Sequence, residues 1–441
     1  MSNLGRVKWN FALLLVGAGL TSQSMGGASR PTALAAQVEV RQTEDKGWEL
    51  RRNGEPYFIL GVGGSGPLAL AKELGANSVR FWGIEQLEET DASGRTKLAQ
   101  IEELGLTFTP GLWVEHERHG FSYLDPEMVQ KQRQKIRAAV RRYKDHPNLL
   151  VWGLGNEMEI FPGLPEAARV WKELEELAKI VKEEDPNHPI MTVIAGADEN
   201  KVREIMEHYP SIDILGINAY SGAGGTGMKL EGLGWKKPYV ITEYGPSGHW
   251  EVAKTAWGAP LEPTADEKAA QYFATLQSVM KNKEGLCLGS YAFLWGQKQE
   301  TTPTWYGMLL PSGEKLPAVD AVVRQWTGEW PANRSPKIEA LRFVNQADRA
   351  KAGTRLEAIA TVSDRDDDDL TYEWTVMAES TDLKHGGDAE SVPPSFPQAV
   401  ATGRGPECSV IFPPPGAYRL FLVVRDGKGG ASTANLPFLS E

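Results

Sequence analysis

The chain has 441 residues, of which 41% are hydrophobic and 24% charged, and its formal charge is −11. This length predicts two or three domains. The acidic balance argues against a nucleic-acid-binding protein, which needs a basic face to neutralise phosphates. The two cysteines, Cys287 and Cys408, fall in different predicted domains and lack metal-ligand spacing. We therefore expect neither a disulfide nor a cysteine metal site.

The first 36 residues have the features of a secretory leader. They contain basic residues and no acidic one, and the apolar run from Phe11 to Leu20 follows the basic start. This run is too short to span a bilayer comfortably, and no other segment is predicted to cross a membrane. Residues 1–36 therefore predict a bacterial-type signal peptide and a secreted or periplasmic protein.

Residues 37–330 alternate between apolar strands and amphipathic helices. An N-terminal hairpin with an Asn53-Gly54 turn comes first. Asp125-Pro126 then supplies an N-cap and a first-turn proline for a long helix. The alternation predicts a (β/α)₈ barrel, whose active site lies at the carboxyl ends of its strands. The eight expected strands are 57–63, 76–83, 106–114, 149–157, 190–196, 213–220, 239–243 and 288–296.

The pattern changes after a predicted linker at residues 331–336. Residues 337–441 show short alternating strands separated by turn signals, which predict a small β-sandwich. The stretches Val362–Trp374 and Val424–Gly430 resemble the polycystic-kidney-disease or cadherin-like immunoglobulin-fold modules of secreted bacterial enzymes. The acidic run Asp364–Asp369 has the oxygen ligands for calcium, but it also fits a solvated turn, and we predict no metal site.

Two of the expected strands end on a glutamate. Strand four leads into Asn156-Glu157, and strand seven ends in Thr242-Glu243. Both carboxylates should then face one pocket at the carboxyl ends of the barrel. Retaining cleavage of a glycosidic bond requires two carboxyl groups about 5–5.5 Å apart, one as acid/base and one as nucleophile. Glu85, Glu115 and Glu159 are competing carboxylates near strand ends.

Other polar and aromatic residues accumulate at the same strand ends. The amide of Asn156 can contact a sugar hydroxyl, and a tyrosine next to the nucleophile, such as Tyr244, can orient its carboxylate. Indole rings often stack on sugar faces, although core packing explains many of them equally well. The candidate substrate-binding residues here are Arg80, Trp82, Trp113, Asn156, Tyr220, Tyr244 and Trp295.

Asn156-Glu157 together with Ile241-Thr242-Glu243-Tyr244-Gly245 resembles the signature of the retaining β-glycosidases of glycoside hydrolase clan A. The resemblance covers roughly residues 40–326. It is nearest to the family 2 barrel, with features of family 5 and of fungal β-1,3-glucanosyltransferases.

This resemblance implies a role for each matching residue. Glu157 would be the acid/base and Glu243 the nucleophile, which Arg80 would hold ionised. Tyr220 and Trp295 would line the subsite of the cleaved sugar. His116 or His119 would match the strand-three histidine of the clan, and His116 is taken as the candidate substrate contact.

The predicted function is hydrolysis of a β-glucan or a related β-linked glycan by double displacement. One alternative is a β-glucanosyltransferase that uses the same residues, and another is a catalytically silent carbohydrate-binding protein. The expected partner is a carbohydrate. No cofactor, nucleic acid or, after removal of the leader, membrane partner is expected.

Overall fold

The computed structural model describes residues 35–45, 47–158, 167–283, 285–345 and 348–441. The predicted leader, apart from its last two residues, lies outside these ranges, and so does the competing carboxylate Glu159. None of the helices in the described ranges combines the length and the apolar character needed to cross a bilayer.

The described chain begins with a small antiparallel sheet. Its strands are β1 (Val38–Gln42), β2 (Trp48–Arg52) and β3 (Glu55–Tyr57). Asn53 and Gly54 both have left-handed backbones, with φ of 53° and 85°, as a two-residue hairpin turn requires. The predicted hairpin turn is therefore confirmed.

A parallel sheet then closes almost completely into a barrel. The order within the described residues is β6-β5-β4-β12-β11-β10-β9-β8-β7. Pro110 lacks an amide hydrogen and separates β6 from β7, which together occupy one barrel position. The amide of Phe108 donates to Asn148 O (2.9 Å) and that of Leu150 to Phe108 O (2.9 Å), across the remaining gap. The strands are β4 (Ile59–Gly63), β5 (Ser78–Arg80), β6 (Thr107–Thr109), β7 (Gly111–Leu112), β8 (Trp152–Asn156), β9 (Ile190–Ala195), β10 (Ile214–Asn218), β11 (Tyr239–Tyr244) and β12 (Cys287–Phe293).

Helices connect these strands, so the architecture is consistent with the predicted (β/α)₈ barrel. Asp125 caps the longest early helix, because its carboxylate accepts the amides of Glu127 (2.8 Å) and Met128 (3.2 Å). The described helices are α1 (Leu68–Glu73), α2 (Lys97–Leu104), α3 (Pro126–Tyr143), α4 (Ala167–Glu184), α5 (Glu199–His208), α6 (Thr226–Gly232), α7 (Ala265–Lys281) and α8 (Pro317–Thr327).

Side chains fill the barrel interior below the strand ends. The hydroxyl of Tyr291 bonds to Ser78 Oγ (3.0 Å) and to Thr109 Oγ1 (2.8 Å) across the barrel. Gly61 makes room for this ring, because a Cβ at that position would lie 2.2 Å from Cδ1 of Tyr291. The barrel is thus a packed core with an open upper end.

The carboxyl-terminal part forms two further sheets around one hydrophobic core. In the described residues their orders are β13-β15-β18-β17 and β14-β20-β19-β16. Trp374, Leu420 and Phe438 of one sheet pack with Ile338 and Val410 of the other. An immunoglobulin-like fold remains a prediction. The strands are β13 (Lys337–Phe343), β14 (Arg349–Ala350), β15 (Arg355–Ser363), β16 (Thr371–Ala378), β17 (Val400–Thr402), β18 (Glu407–Ile411), β19 (Gly416–Arg425) and β20 (Ala431–Ser440).

A buried network of charges joins the barrel to these sheets. Arg419 of β19 forms an ion pair with Glu379 and donates to Asn435 Oδ1 (2.7 Å). The amide of Asn435 donates to Glu262 Oε2 (2.7 Å), and Glu262 pairs with Lys268 of α7. Each charge has an opposite charge or an amide beside it, as burial requires. The network therefore fastens α7 to the second sheet.

Candidate active site

A cavity of about 1100 Å³ opens at the carboxyl ends of the barrel strands. Small-molecule pockets span roughly 300–1,000 Å³, so this one has room for more than a single small ligand. Its lining includes Glu157, which directly follows β8, and Glu243 near the end of β11. The fold thus brings the two carboxylates to one pocket.

Glu243 is 5% exposed and is held by three donors from the ends of two other barrel strands, β5 and β10. Arg80 Nη1 (2.9 Å) and Trp82 Nε1 (3.0 Å) donate to its Oε1, and the hydroxyl of Tyr220 (3.0 Å) donates to its Oε2. Bonds of this charge-assisted kind are strong and directional. They fix the carboxylate in one orientation toward the cavity.

Tyr220 remains a donor over the whole range of working pH. Burial, and after it the nearby charge of Glu243, raises the pKa of the Tyr220 hydroxyl well above its ordinary value. The protonated hydroxyl is therefore available to Glu243 throughout.

Glu157 lies where β8 departs from regular strand geometry. The register of β8 against β9 shifts between Gly153 and Asn156, and Glu157 has a left-handed backbone with φ of 50°. A non-glycine residue in this region is strained, and such strain concentrates at functional sites. The amide of Asn218 donates to Glu157 Oε1 (2.7 Å), while its own Oδ1 accepts from Thr242 Oγ1 (2.8 Å).

Arg80 connects the surroundings of the two carboxylates. Its Nη2 donates to Asn156 Oδ1 (2.7 Å), while its Nη1 holds Glu243. Arg80 is 3% exposed and lies beneath the cavity floor. The planar guanidinium suits this double contact, because its donors point in fixed directions.

Indole rings form the cavity walls. Trp82, Trp113, Trp250 and Trp295 all line it. Trp295 is fixed by a bond from its Nε1 to Pro67 O (3.0 Å), whereas Trp250 is 56% exposed at the mouth. The walls thus present flat apolar faces above the polar floor.

Residues 70–250, which include both glutamates, match the family model of the TIM barrel domain of glycosyl hydrolases family 2. A β-glucuronidase of Streptococcus agalactiae serotype V is 27% identical over 202 residues, 40% of this chain and 32% of the relative. A β-glucuronidase of Paenibacillus borealis is 24% identical over 253 residues, 47% of this chain and 38% of the relative. Over part of its barrel the chain is thus similar to family 2 glycosyl hydrolases.

The same fold is found among solved structures. A β-glucuronidase of Bifidobacterium dentium, solved with coumarin-3-O-glucuronide, superposes with a TM-score of 0.51 and 17% identity over 66% of this chain and 49% of its own. This likeness concerns the fold alone. The chain spans only about a third of the length of the two sequence relatives, 32% and 38%.

The structure brings most of the predicted site residues together. Trp82, Trp113, Asn156, Tyr220 and Trp295 line the cavity with the two glutamates. Three others lie off its surface: Arg80, His116 and Tyr244.

Tyr244 and His116 need correction as substrate contacts. Successive side chains of a strand point to opposite faces, so Tyr244 points outward where Glu243 points inward. The ring of Tyr244 is fully buried 5.7 Å from that of Tyr272 in α7. His116 is 3% exposed, with its Nδ1 2.9 Å from Nη1 of Arg118 and its ring 5.3 Å from that of Trp113. It supports the cavity wall from behind.

The sequence analysis assigned roles to only some residues of the cavity. Asn218 was expected at a strand end but was given no role, although it ends β10 on a polar side chain, the same signal that revealed Glu157 and Glu243. Glu300 adds another carboxylate, whose Oε2 accepts from Lys298 Nζ (2.7 Å). Burial raises the pKa of Glu300, Lys298 opposes this, and the charge of Glu243 adds to the rise. Residues 384–388, from the carboxyl-terminal sheets, also line the cavity.

The acidic run after β15 gathers three carboxylates. One oxygen each of Asp364, Asp366 and Asp368 lie within 4.8 Å of one another. Asp364 Oδ1 also accepts the amides of Asp366 (2.8 Å) and Asp368 (3.0 Å), as in a tight acidic turn. This geometry fits both of the alternatives drawn from the sequence.

Proposed function

We propose that the protein is a retaining β-glycoside hydrolase with Glu243 as nucleophile and Glu157 as acid/base. The observation that carries this proposal is that both carboxylates line one cavity at the carboxyl ends of the barrel strands. Arg80, Trp82 and Tyr220 all donate to Glu243, as suits an anionic nucleophile. Glu157 accepts a hydrogen bond from the neutral amide of Asn218, as suits a group that must gain and lose a proton.

The reaction proceeds in two displacements. In the first, a carboxylate oxygen of Glu243 bonds to the anomeric carbon while the bond to the leaving oxygen breaks, and Glu157 gives that oxygen its proton. In the second, Glu157 takes a proton from water, whose oxygen replaces Glu243 at the anomeric carbon. The ester is cleaved, and the original configuration is restored.

The charge of the cavity favours a neutral glycan, such as a β-glucan. Among the described residues that line it, the acids are Glu157, Glu243, Glu251, Glu300 and Asp388, against the lysines Lys229, Lys298 and Lys384. Lys298 and Lys384 are paired with Glu300 and Asp382. The indole walls suit the apolar faces of neutral sugars.

A β-glucuronide is the second candidate substrate, because both sequence relatives are named β-glucuronidases. Lys229 is the lining cation with which a uronate carboxylate could pair. Paired aryl β-glucosides and β-glucuronides distinguish the two candidates by their ratio of kcat/KM. Products longer than the substrate would identify a transglycosylase.

The test of the catalytic roles uses Glu157→Gln and Glu243→Gln, with Glu115→Gln as control. Glu115 also follows a barrel strand, but it pairs with Lys135 outside the cavity. Glu157→Gln should lose about 10²- to 10⁴-fold in activity on alkyl glycosides, and much less in cleaving dinitrophenyl glycosides, whose leaving group needs no proton. Glu243→Gln should be inactive on both.

A 2-fluoro glycoside should label Glu243 of the otherwise unchanged enzyme, as seen by peptide mass. Glu115→Gln should behave like the unchanged protein. Full activity of both active-site variants on every cleaved glycoside would overturn the proposal.

Two further parts of the proposal concern the ends of the chain. Residues 1–36 would direct export, on the strength of their basic start and apolar run. The two carboxyl-terminal sheets would be an immunoglobulin-like module, with their shared core as the support.

A further inference from the structure

A loop of the carboxyl-terminal sheets crosses the mouth of the barrel. We call it the strap: it comprises residues 380–391, which follow β16 and precede the short helical turn Pro397–Ala399. Residues 384–388, the tip of the strap, line the cavity together with Glu157 and Glu243. The cavity is therefore built from both halves of the molecule.

The strap is anchored on one side to the loop that follows β12. Lys298 Nζ donates to Gly387 O (2.7 Å), and the amide of Thr301 donates to Glu390 Oε2 (2.6 Å). Lys298 is also the partner of Glu300, whose carboxylate lines the cavity. One ammonium group thus holds both the strap and a cavity side chain.

The other anchor is the loop that follows β7. Asp388 pairs with Nη2 of Arg118 (3.4 Å) and with Nε2 of His119 (3.1 Å). Because the positions of β4 and β5 lie between β12 and β7 around the barrel, the strap runs as a chord across the mouth. The two ends of the strap are joined to each other, because the amide and the hydroxyl of Ser391 donate to Asp382 Oδ2 (3.0 and 2.9 Å).

The strap has a definite position relative to Glu157 and Glu243. Glu157, which must protonate the leaving oxygen, follows β8, so the leaving group lies toward β8. The sugar that bonds to Glu243 lies toward Trp82, which follows β5. The strap, held after β12 and after β7, separates the ends of β4 and β5, and with them Trp82, from the rest of the mouth, and we take this side as the glycone side.

Resting on the proposed function, we propose that the strap is a substrate-binding wall that limits how many sugar units fit on the glycone side. Its tip offers sugar hydroxyls the exposed side chains of Lys384 and His385 and the backbone of Gly386 and Gly387. These two glycines have φ of 62° and 74°, a turn that brings the backbone close to the cavity. The carboxyl-terminal sheets are accordingly part of the active site.

The test compares the full-length protein with two strap variants and a control. In the first variant two glycines replace residues 384–388, which leaves the Asp382–Ser391 closure intact. The second, Asp388→Asn, removes the charge that holds Arg118 and His119. The control, Glu407→Gln, makes the same chemical change at an exposed position of β18. Substrates are an aryl β-monosaccharide and a ladder of β-linked oligosaccharides.

The variant with the shortened strap should release longer glycone-side products than the unchanged enzyme, because the sugar chain can then extend into the space that the tip occupied. Both variants should raise KM for the aryl glycoside about 3- to 10-fold with kcat nearly retained, the effect of losing one or two hydrogen bonds. The control should match the unchanged enzyme in both measurements.

Unchanged KM and product lengths in an active, folded strap variant would overturn the strap proposal and leave the catalytic roles standing. If the shortened strap does not fold, Asp388→Asn decides by the KM measurement alone. Failure of the proposed function has a different signature, since the unchanged protein would then cleave no glycoside.

Discussion

At the scale of single residues, the site depends on how each carboxylate is held. Glu243 accepts from a cation, an indole and a phenol, whereas Glu157 sits on a strained backbone and receives an amide. Of these contacts, the one from Tyr220 can be removed with the least disturbance. A phenylalanine keeps the ring and deletes only the donor.

Tyr220→Phe should therefore lower kcat/KM while the protein stays folded. A hydrogen bond to a charged group contributes about 1.5–3 kcal/mol, which corresponds to a loss of roughly 10- to 150-fold. Steady-state kinetics on an aryl β-glycoside measure it. Tyr372→Phe in β16 is the control and should leave kcat/KM unchanged. Equal rates for Tyr220→Phe and the unchanged enzyme would remove Tyr220 from the catalytic machinery.

At the scale of elements, the strand ends explain what the sequence could reveal. A buried strand that finishes on a carboxylate is visible in the sequence, so Glu157 and Glu243 were predictable. Alternation along β11 would also have excluded Tyr244, because its neighbour Glu243 must point inward. The position of His116 was not predictable, since it depends on how the loop after β7 folds back against Trp113.

That loop makes stability depend on pH. Burial, and after it the charges of Arg118 and His119, lowers the pKa of His116 from 6.5 to about 4. Between these values the unfolded chain binds a proton that the folded chain does not, so stability falls as pH decreases from about 6.5 toward 4.

His116→Gln should therefore lose less stability on acidification than the unchanged protein does. Each unit of pKa difference corresponds to about 1.4 kcal/mol. The difference in unfolding free energy between the two proteins should therefore change by about 2 kcal/mol between pH 7 and pH 5. Urea unfolding at both pH values measures it. The same difference in unfolding free energy at both pH values would refute this role of His116.

At the scale of the whole molecule, contacts distant in sequence complete the site. Arg118 and Asp388 are 270 positions apart, and neither has a local pattern that points to the other. The sequence could predict a barrel and a second set of strands, but not that a loop of the latter would line the cavity. Glu379, which directly precedes the strap, is in turn held by buried Arg419.

Arg419→Met should destabilise the whole described unit. It leaves Glu379 without its cationic partner, and breaking a buried ion pair typically costs about 3–5 kcal/mol. Denaturant unfolding measures the loss. The control Arg404→Met, at an exposed position, should change stability by less than about 0.5 kcal/mol. If Arg419→Met also changed the free energy of unfolding by less than about 0.5 kcal/mol, the network would contribute little to stability.

The network that joins Glu262, Lys268, Asn435, Arg419 and Glu379 also constrains protein engineering. If this barrel were joined to a foreign carboxyl-terminal module, Glu262 and Lys268 would lie beside a surface that lacks Asn435 and Arg419. A chimaera must therefore inherit all five side chains as a set. A crossover at the predicted linker, residues 331–336, would separate Glu262 and Lys268 from their three partners, so the crossover should lie elsewhere.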